Sequence, residues 1–254
     1  MQQLTLEEKQ FCSRLEDLLE RVEKRYQEEA TDFLTPALQR VAQDFLQERR
    51  IHNYFFAGGY DEAERKRLVI YPDFSEADET LADIVLIRLE GNFKFVQVNH
   101  RDFLGALMSL GIKREKFGDL LVDEQGCYLL ATKEIVPYIQ QNCPRVKHVP
   151  LTAQIIDIQK WIPPKQEVKE IHIMVASLRI DTILAHGFGF SRTKAIEMIQ
   201  SGKVQVNYLE IKDNDFICHE QDLISCRGKG KLKVVQFNGE TKKGKEKVIL
   251  WKYI

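Results

Sequence analysis

The sequence predicts an α+β protein built in parts, and three observations carry that expectation. The N-terminal stretch holds two amphipathic helical patterns, and the middle of the chain alternates strand and helix signals. A charged, Pro-containing break, "WIPPKQEVKE", then precedes a segment of different charge. The parts expected are an N-terminal helical and mixed segment over 1–90, a middle domain over 91–160, a linker over 161–172 and a small α/β domain over 173–254.

Thr5-Leu6-Glu7-Glu8 forms a capping box, and Phe11, Leu15, Leu18, Val22 and Tyr26 follow at helical spacing. Thr35-Pro36 announces a second helix with Leu38, Val41, Ala42, Phe45 and Leu46 on its apolar face. Tyr54-Phe55-Phe56, Leu68-Val69-Ile70-Tyr71 and Ile84-Val85-Leu86-Ile87 read as strands. Gly58-Gly59 reads as a tight turn, because neither the Walker spacing nor its Lys-Ser/Thr pair follows. Residues 93–98 are expected as a strand, 102–110 as a helix with Asp102 as its cap and Leu104, Leu107, Met108 and Leu110 in the core. A hairpin around "DEQG", a short helix over 133–141 and a last strand over 146–151 complete the middle. That order, β-α-β-β-α-β, is the ferredoxin-like unit that RNA-recognition modules share.

Beyond the break, Ser177 is expected to cap a helix stopped by Gly187, and Ser191 a second stopped by Gly202, with a strand over 203–207. Leu232, Val234, Val235 and Phe237, then Val248, Leu250 and Tyr253, mark two strands joined near Asn238-Gly239.

The composition, 44% hydrophobic and 30% charged over 254 residues, suits a soluble protein with a core. No apolar run approaches the ~20 residues that span a bilayer, and "MQQLTLEEKQ" lacks a signal peptide's apolar stretch. Neither a membrane partner nor DNA is expected, and the chain is expected to be a cytoplasmic monomer. Five dispersed cysteines lack zinc-knuckle spacing and read as reduced and structural, so neither a metal nor a cofactor is expected.

The net charge of −1 hides an asymmetry. Residues 173–254 hold 14 Lys/Arg and 9 Asp/Glu, a net of +5, and the rest of the chain nets −6. From Cys226 onward the net is +7. A basic terminus on an acidic chain suits a polyanion; the plain alternative is a solvated tail. The two short helices bring Arg179, Ser191, Arg192, Lys194 and Lys203 toward one surface, an arrangement that suits phosphate oxygens. Arg227, Lys229 and Lys231 at the base of the last hairpin, and Lys242 and Lys243 in its loop, extend the candidate set. Arg65, Lys66 and Arg67, and Lys113, Arg114 and Lys116, either reach RNA or merely flank strands and turns.

His100-Arg101-Asp102 spells a protein-kinase catalytic signature, but the metal-holding Asn five residues on is Leu107. No Gly-rich loop or Asp-Phe-Gly accompanies it. His100 and Arg101 are therefore helix-entry residues that could contact RNA.

The pattern Arg179, Asp181, Leu184, Ser191-Arg192, Ala195, Ile199, Gly202, Val204, Val206-Asn207 and Asp222 resembles the S-four RNA-binding domain (the αL motif). Tyr208 and Gln221 stand where that domain usually has glycine. "FAGGYDEAERKRLVIYP", "HRDFLGALMSLGIKREKFGD", "ISCRGKGKLKV" and "GETKKGK" are similar to signatures of the YlmH family, so the resemblance covers residues 31–247. It implies a bacterial or plastid RNA-binding protein, often encoded beside cell-division genes. It further implies ribosomal RNA and peptidyl-tRNA on the large ribosomal subunit as partners, in ribosome-associated quality control. The rivals are a protein-interaction scaffold linked to division and an RNA-modifying enzyme. The second lacks a pseudouridine-synthase Asp motif, a Gly-rich methyl-donor loop and a synthetase's ATP signatures.

Overall fold

Helix α1 (Leu6–Arg25) begins at the capping box, with Glu8 N donating to Thr5 Oγ1 at 3.3 Å and Thr5 N to Glu8 Oε2 at 2.7 Å. Phe11, Leu15, Leu18 and Val22 are buried along it. Tyr26, expected to extend that stripe, is exposed and takes the left-handed conformation that ends the helix. A strand not expected from the sequence follows, β1 (Glu29–Leu34), and then α2 (Pro36–Glu48), capped by Thr35. Strands β2 (Tyr54–Ala57) and β3 (Lys66–Ile70) complete an antiparallel sheet in the order β1-β3-β2. The apolar faces of both helices share one core with Leu34, Leu68 and Ile70 of that sheet.

In this computed structural model residues 5–164, 167–241 and 244–253 are described, and the chain divides into two compact units, 1–164 and 165–254. The first unit continues with β4 (Ile84–Glu90), α3 (His100–Met108), β5 (Phe117–Asp123), β6 (Gly126–Thr132) and α4 (Val136–Gln141). A two-residue hairpin, β7 (Arg145–Val146) with β8 (Val149–Pro150), and strand β9 (Thr152–Ile156) follow. The antiparallel order β5-β6-β4-β9, with this connectivity, is the ferredoxin-like arrangement.

Three expectations for this unit are corrected. The first strand of the ferredoxin-like sheet is β4, because residues 93–96 form a turn in which Phe93 O accepts from Val96 N at 3.0 Å and no strand forms over 93–98. Its last strand is β9, because Lys147 at φ 56° folds residues 146–151 into the β7–β8 hairpin. The cap of α3 is Asn99, not Asp102. Asn99 Oδ1 accepts from Arg101 N at 2.9 Å, and Asp102 returns the bond by accepting from Asn99 N at 3.0 Å. With the helix set three residues earlier, Phe103 and Leu107 are its buried residues and Met108 is exposed.

The second unit is one six-stranded antiparallel sheet with two helices on it. Its elements are β10 (Val168–Val175), α5 (Ile180–Phe188), α6 (Arg192–Gln200), β11 (Val204–Val206), β12 (Leu209–Glu210), β13 (Leu223–Cys226), β14 (Gly230–Glu240) and β15 (Glu246–Tyr253). The sheet order is β10-β15-β14-β13-β11-β12. Ile180, Ile183, Leu184, Ala195 and Ile199 of the helices pack on Val204, Ile224, Leu232, Val234 and Leu250 of the sheet. Helix α5 starts after Arg179, not Ser177, and runs through Gly187 to a left-handed Gly189 (φ 70°). Gly187 lies inside the helix because any Cβ there would overlap Leu232 Cδ1. The last two strands are not joined at Asn238-Gly239. Gly239 (φ 69°) instead relieves an irregularity within β14, which continues to Glu240.

Tyr208 and Gln221, which replace the usual glycines, keep glycine-like backbones at φ 67° and φ 70°. The turns are held from outside. Asn207 Nδ2 donates to Asp222 Oδ1 at 2.7 Å, Leu223 N donates to Asn207 Oδ1 at 2.9 Å, and His219 N donates to Asp222 Oδ2 at 2.8 Å.

Candidate nucleic-acid interface

The start of α5 places a fully buried carboxylate, Asp181, between two arginines. Arg179 donates to it twice, Nε to Oδ1 at 3.2 Å and Nη2 to Oδ2 at 3.1 Å, and also pairs with Asp215. Arg192, in the first turn of α6, donates to Oδ2 through Nε at 3.2 Å and Nη2 at 3.1 Å. Burial alone would raise the Asp181 pKa, but the guanidiniums of Arg179 and Arg192 hold it below the ordinary carboxylate range. The Arg192 side chain remains 64% exposed. Its position is thus fixed while part of its charge faces solvent, the condition for a prearranged phosphate contact.

Ser191 caps α6 by accepting from Lys194 N at 3.2 Å, and Lys194 Nζ donates to Glu197 at 2.8 Å. Lys203 and Arg227 are exposed and adjacent, because Arg227 N donates to Lys203 O at 2.8 Å. Lys229, in the β13–β14 turn, lies over the Phe190 ring at 5.7 Å, one residue before Ser191. Phe190 stacks on Phe188, and Lys252 lies over that second ring at 5.5 Å. Lys231 is half-buried opposite Ser225. The structure therefore brings the helix-borne set and the turn-borne set together through Phe190. Lys242 and Lys243 lie outside the described residues. Sequence reasoning passed over Asp181 as an anchor and Phe188 and Phe190 as lysine partners; the Arg-x-Asp spacing was the available signal for the first.

The candidate cations of the first unit fare differently. Arg67 is 8% exposed and donates to the Thr31 carbonyl at 2.6 Å, and to the carbonyls of Ala82 and Asp83. Arg65 donates to the carbonyls of Phe117 (3.0 Å) and Phe33 (2.8 Å). Arg114 donates to Phe117 O at 2.6 Å, and burial together with nearby Arg65 pushes its pKa down to about 10. These three guanidiniums are committed to backbone carbonyls, a structural role that favours the alternative in which they flank strands and turns. Lys116 is bound by Asp32 at 2.7 Å and by Glu134, and Lys66 reaches the Asp61 carbonyl at 3.5 Å. His100, Arg101 and Lys113 are exposed.

The ferredoxin-like sheet is partly covered on both faces. On the side away from α3 and α4, Leu86 and Leu130 are covered by Phe33, Tyr60, Ile156, Ile158 and Trp161. Trp161 meets the rings of Tyr128 at 5.2 Å and Tyr60 at 5.8 Å, and Arg88 lies over Tyr128 at 4.4 Å. Asp119 fastens the cover, accepting from Tyr60 Oη at 2.9 Å, Glu64 N at 2.7 Å and Arg65 N at 3.1 Å. Among the described residues no cluster of His, Cys, Asp and Glu could hold a metal, and no helix is long and apolar enough to cross a membrane.

Three family models match successive parts of the chain: "YlmH, N-terminal" over residues 7–74, "Putative RNA-binding domain in YlmH" over 78–160 and "S4 domain" over 178–224. The chain is 31% identical over 227 residues to the ribosome-associated protein quality control protein P2 of Bacillus subtilis, covering 89% of this chain and 88% of that one. A solved structure of the cell division protein ylmH from Streptococcus pneumoniae shares the fold, with a TM-score of 0.54 at 22% identity, over 64% of this chain and 98% of that one. The order of the matched domains and the near full-length likeness show that this chain belongs to the YlmH family.

Proposed function

We propose that this chain is a non-catalytic RNA-binding protein that takes ribosomal RNA and tRNA on the large ribosomal subunit, where peptidyl-tRNA has stalled. The observation that carries the reading is the Arg179–Asp181–Arg192 arrangement, because it fixes two guanidiniums beside a run of exposed cations within the S4 domain. The Bacillus subtilis relative, named for ribosome-associated quality control, supports the process. On this reading the protein works as a monomer in the cytoplasm, with Ser191, Lys194, Lys203, Arg227, Lys229 and Lys231 around the arginine pair.

Sedimentation in cell lysate tests it: the protein should travel with large subunits and carry tRNA. Arg192→Ala removes one charge-assisted phosphate contact and should weaken RNA binding at least about 10-fold, since such bonds contribute about 1.5–3 kcal/mol. Arg179 still pairs with Asp181 in that variant, so the fold should be kept at some cost in stability. Arg192→Ala with Lys203→Ala binding as tightly as the unaltered protein would refute the interface. A protein complex that survives RNase, with no RNA bound, would instead support a scaffold role.

A further inference from the structure

We propose that Phe95 is a base-stacking finger, the aromatic tip of a preformed turn that takes an unpaired nucleobase of the bound RNA between flanking cations. The proposal rests on the RNA-binding reading above and names a contact outside the S4 domain. Phe93 and Phe95, two residues apart between β4 and α3, do opposite things. Phe93 is buried and meets Phe103 edge-on, with ring centres 5.7 Å apart. Phe95 is 97% exposed, the most exposed large apolar side chain among the described residues.

A single exposed apolar residue is ordinary. What sets this one apart is how it is held and what surrounds it. Val96 N donates to Phe93 O at 3.0 Å, so Phe95 sits at the third position of a closed turn. Lys94 N donates to Asn92 Oδ1 at 3.4 Å on its approach. Lys147, from the tip of the β7–β8 hairpin, donates through Nζ to Gln97 O at 2.6 Å and also reaches Asp102 at 3.6 Å. The buried Phe93 ring thus anchors the turn's root, and Lys147 ties its far side to a second loop tip. The conformational cost of presenting the ring is met before any ligand arrives.

Charge decides the occupant. Exposed Lys94 precedes Phe95 in the chain, and Lys147 is held on the carbonyl of Gln97, two residues beyond it, so two cations accompany the ring. An aromatic surface flanked by cations is how proteins hold unpaired nucleotides, the ring stacking on the base and the cations meeting the phosphates on either side. A lone ring gives little apolar area for a protein partner, which would need a buried cluster of anchors. A recess of about 390 Å³, lined by Phe93, Val96, Gln97, Val98, Asn99, Asp123 and Glu124, opens at the root of the same turn; its two carboxylates turn phosphate away from the recess and toward the lysine side of the ring. Trp161 partly covers the sheet's aromatic face, and Phe95 is this unit's most exposed ring among the described residues.

The test uses the full chain and two probes: an RNA hairpin whose adenine loop carries one 2-aminopurine, and a blunt duplex of the same stem. Binding should quench the 2-aminopurine in the hairpin. Phe95→Ala should abolish the quench and weaken hairpin binding about 10-fold, the scale of one lost base–aromatic stack. Duplex binding should be unchanged, and Phe95→Tyr should restore both signals. Quenching and affinity equal to the unaltered protein in Phe95→Ala, or an equal loss on hairpin and duplex, would overturn the finger and leave RNA binding standing. No binding of either probe by the unaltered protein would remove both readings.

Discussion

Asp181 is buried completely, and a carboxylate there without partners would be costly. Arg179 and Arg192 relieve that cost and are positioned by the same bonds, so one residue links stability to the candidate interface. Its pKa is depressed in the folded protein, so its contribution is complete above the unfolded value of about 3.9 and disappears as pH falls through the folded value. Asp181→Asn keeps the shape and removes the charge. At neutral pH it should lower stability by about 2 kcal/mol, the scale of hydrogen bonds to charged groups, as read by urea unfolding. The gap between variant and unaltered protein should begin to narrow below about pH 4, where the carboxyl protonates in the unfolded chain, and close only as pH falls through the lower folded value. A gap that does not change with pH would mean that the arginines do not act through the charge. The same variant should also bind RNA more weakly at neutral pH, because both guanidiniums lose their anchor.

Among the elements, α5 shows how little room the second unit leaves at its core. A Cβ on Gly187 would overlap Leu232 Cδ1 and come within 3.2 Å of Leu250 Cδ1. Gly187→Ala should therefore cost about 1–3 kcal/mol through overpacking, although alanine is the better helix former. Adding Leu232→Ala should recover part of that loss in thermal unfolding, and no recovery would place the strain elsewhere. This glycine reads in the sequence as a helix stop, because pattern alone cannot separate a glycine that ends a helix from one that lets it approach a sheet. Helices α1 and α2 are legible because caps and apolar stripes are local signals. The cap of α3 is harder to assign, since Asn99 and Asp102 are both cap-type residues three apart and each bonds the other's backbone. The run from Phe93 to Val98 alternates like a strand, yet one ring is buried and the next is in solvent. The positive-φ positions Tyr208 and Gln221 follow from the family resemblance and not from their own side chains. For the candidate site, Arg192 and Lys203 are legible as exposed cations. The interior tasks of Arg65, Arg67 and Arg114 are not, since a guanidinium's sequence position does not reveal which carbonyls will surround it.

At the scale of the whole molecule, the net charge of −1 divides into +5 over residues 173–254 and −6 before them. The contrast sharpens once structure is added, because three of the first unit's candidate cations are spent on carbonyls whereas Lys203, Arg227 and Lys229 remain exposed. A polyanion should therefore be drawn mainly by the C-terminal unit, and the salt dependence of binding reports which charges meet phosphate. Each neutralised phosphate releases condensed counterions, giving a slope of log affinity against log salt of roughly −0.7 per contact on single strands. Arg227→Ala with Lys229→Ala should flatten that slope by about 1.4 and weaken binding with little sequence preference. Both residues lie in the β13–β14 turn, outside the core, so stability should hardly change. Lys66→Ala in the first unit serves as the control, since its Nζ faces the Asp61 carbonyl, and it should leave the slope as it was. Equal slopes for the Arg227/Lys229 double variant and the unaltered protein, on the same RNA, would mean that the turn's charges are only solvated. A flattening with Lys66→Ala would move the phosphate contacts into the first unit.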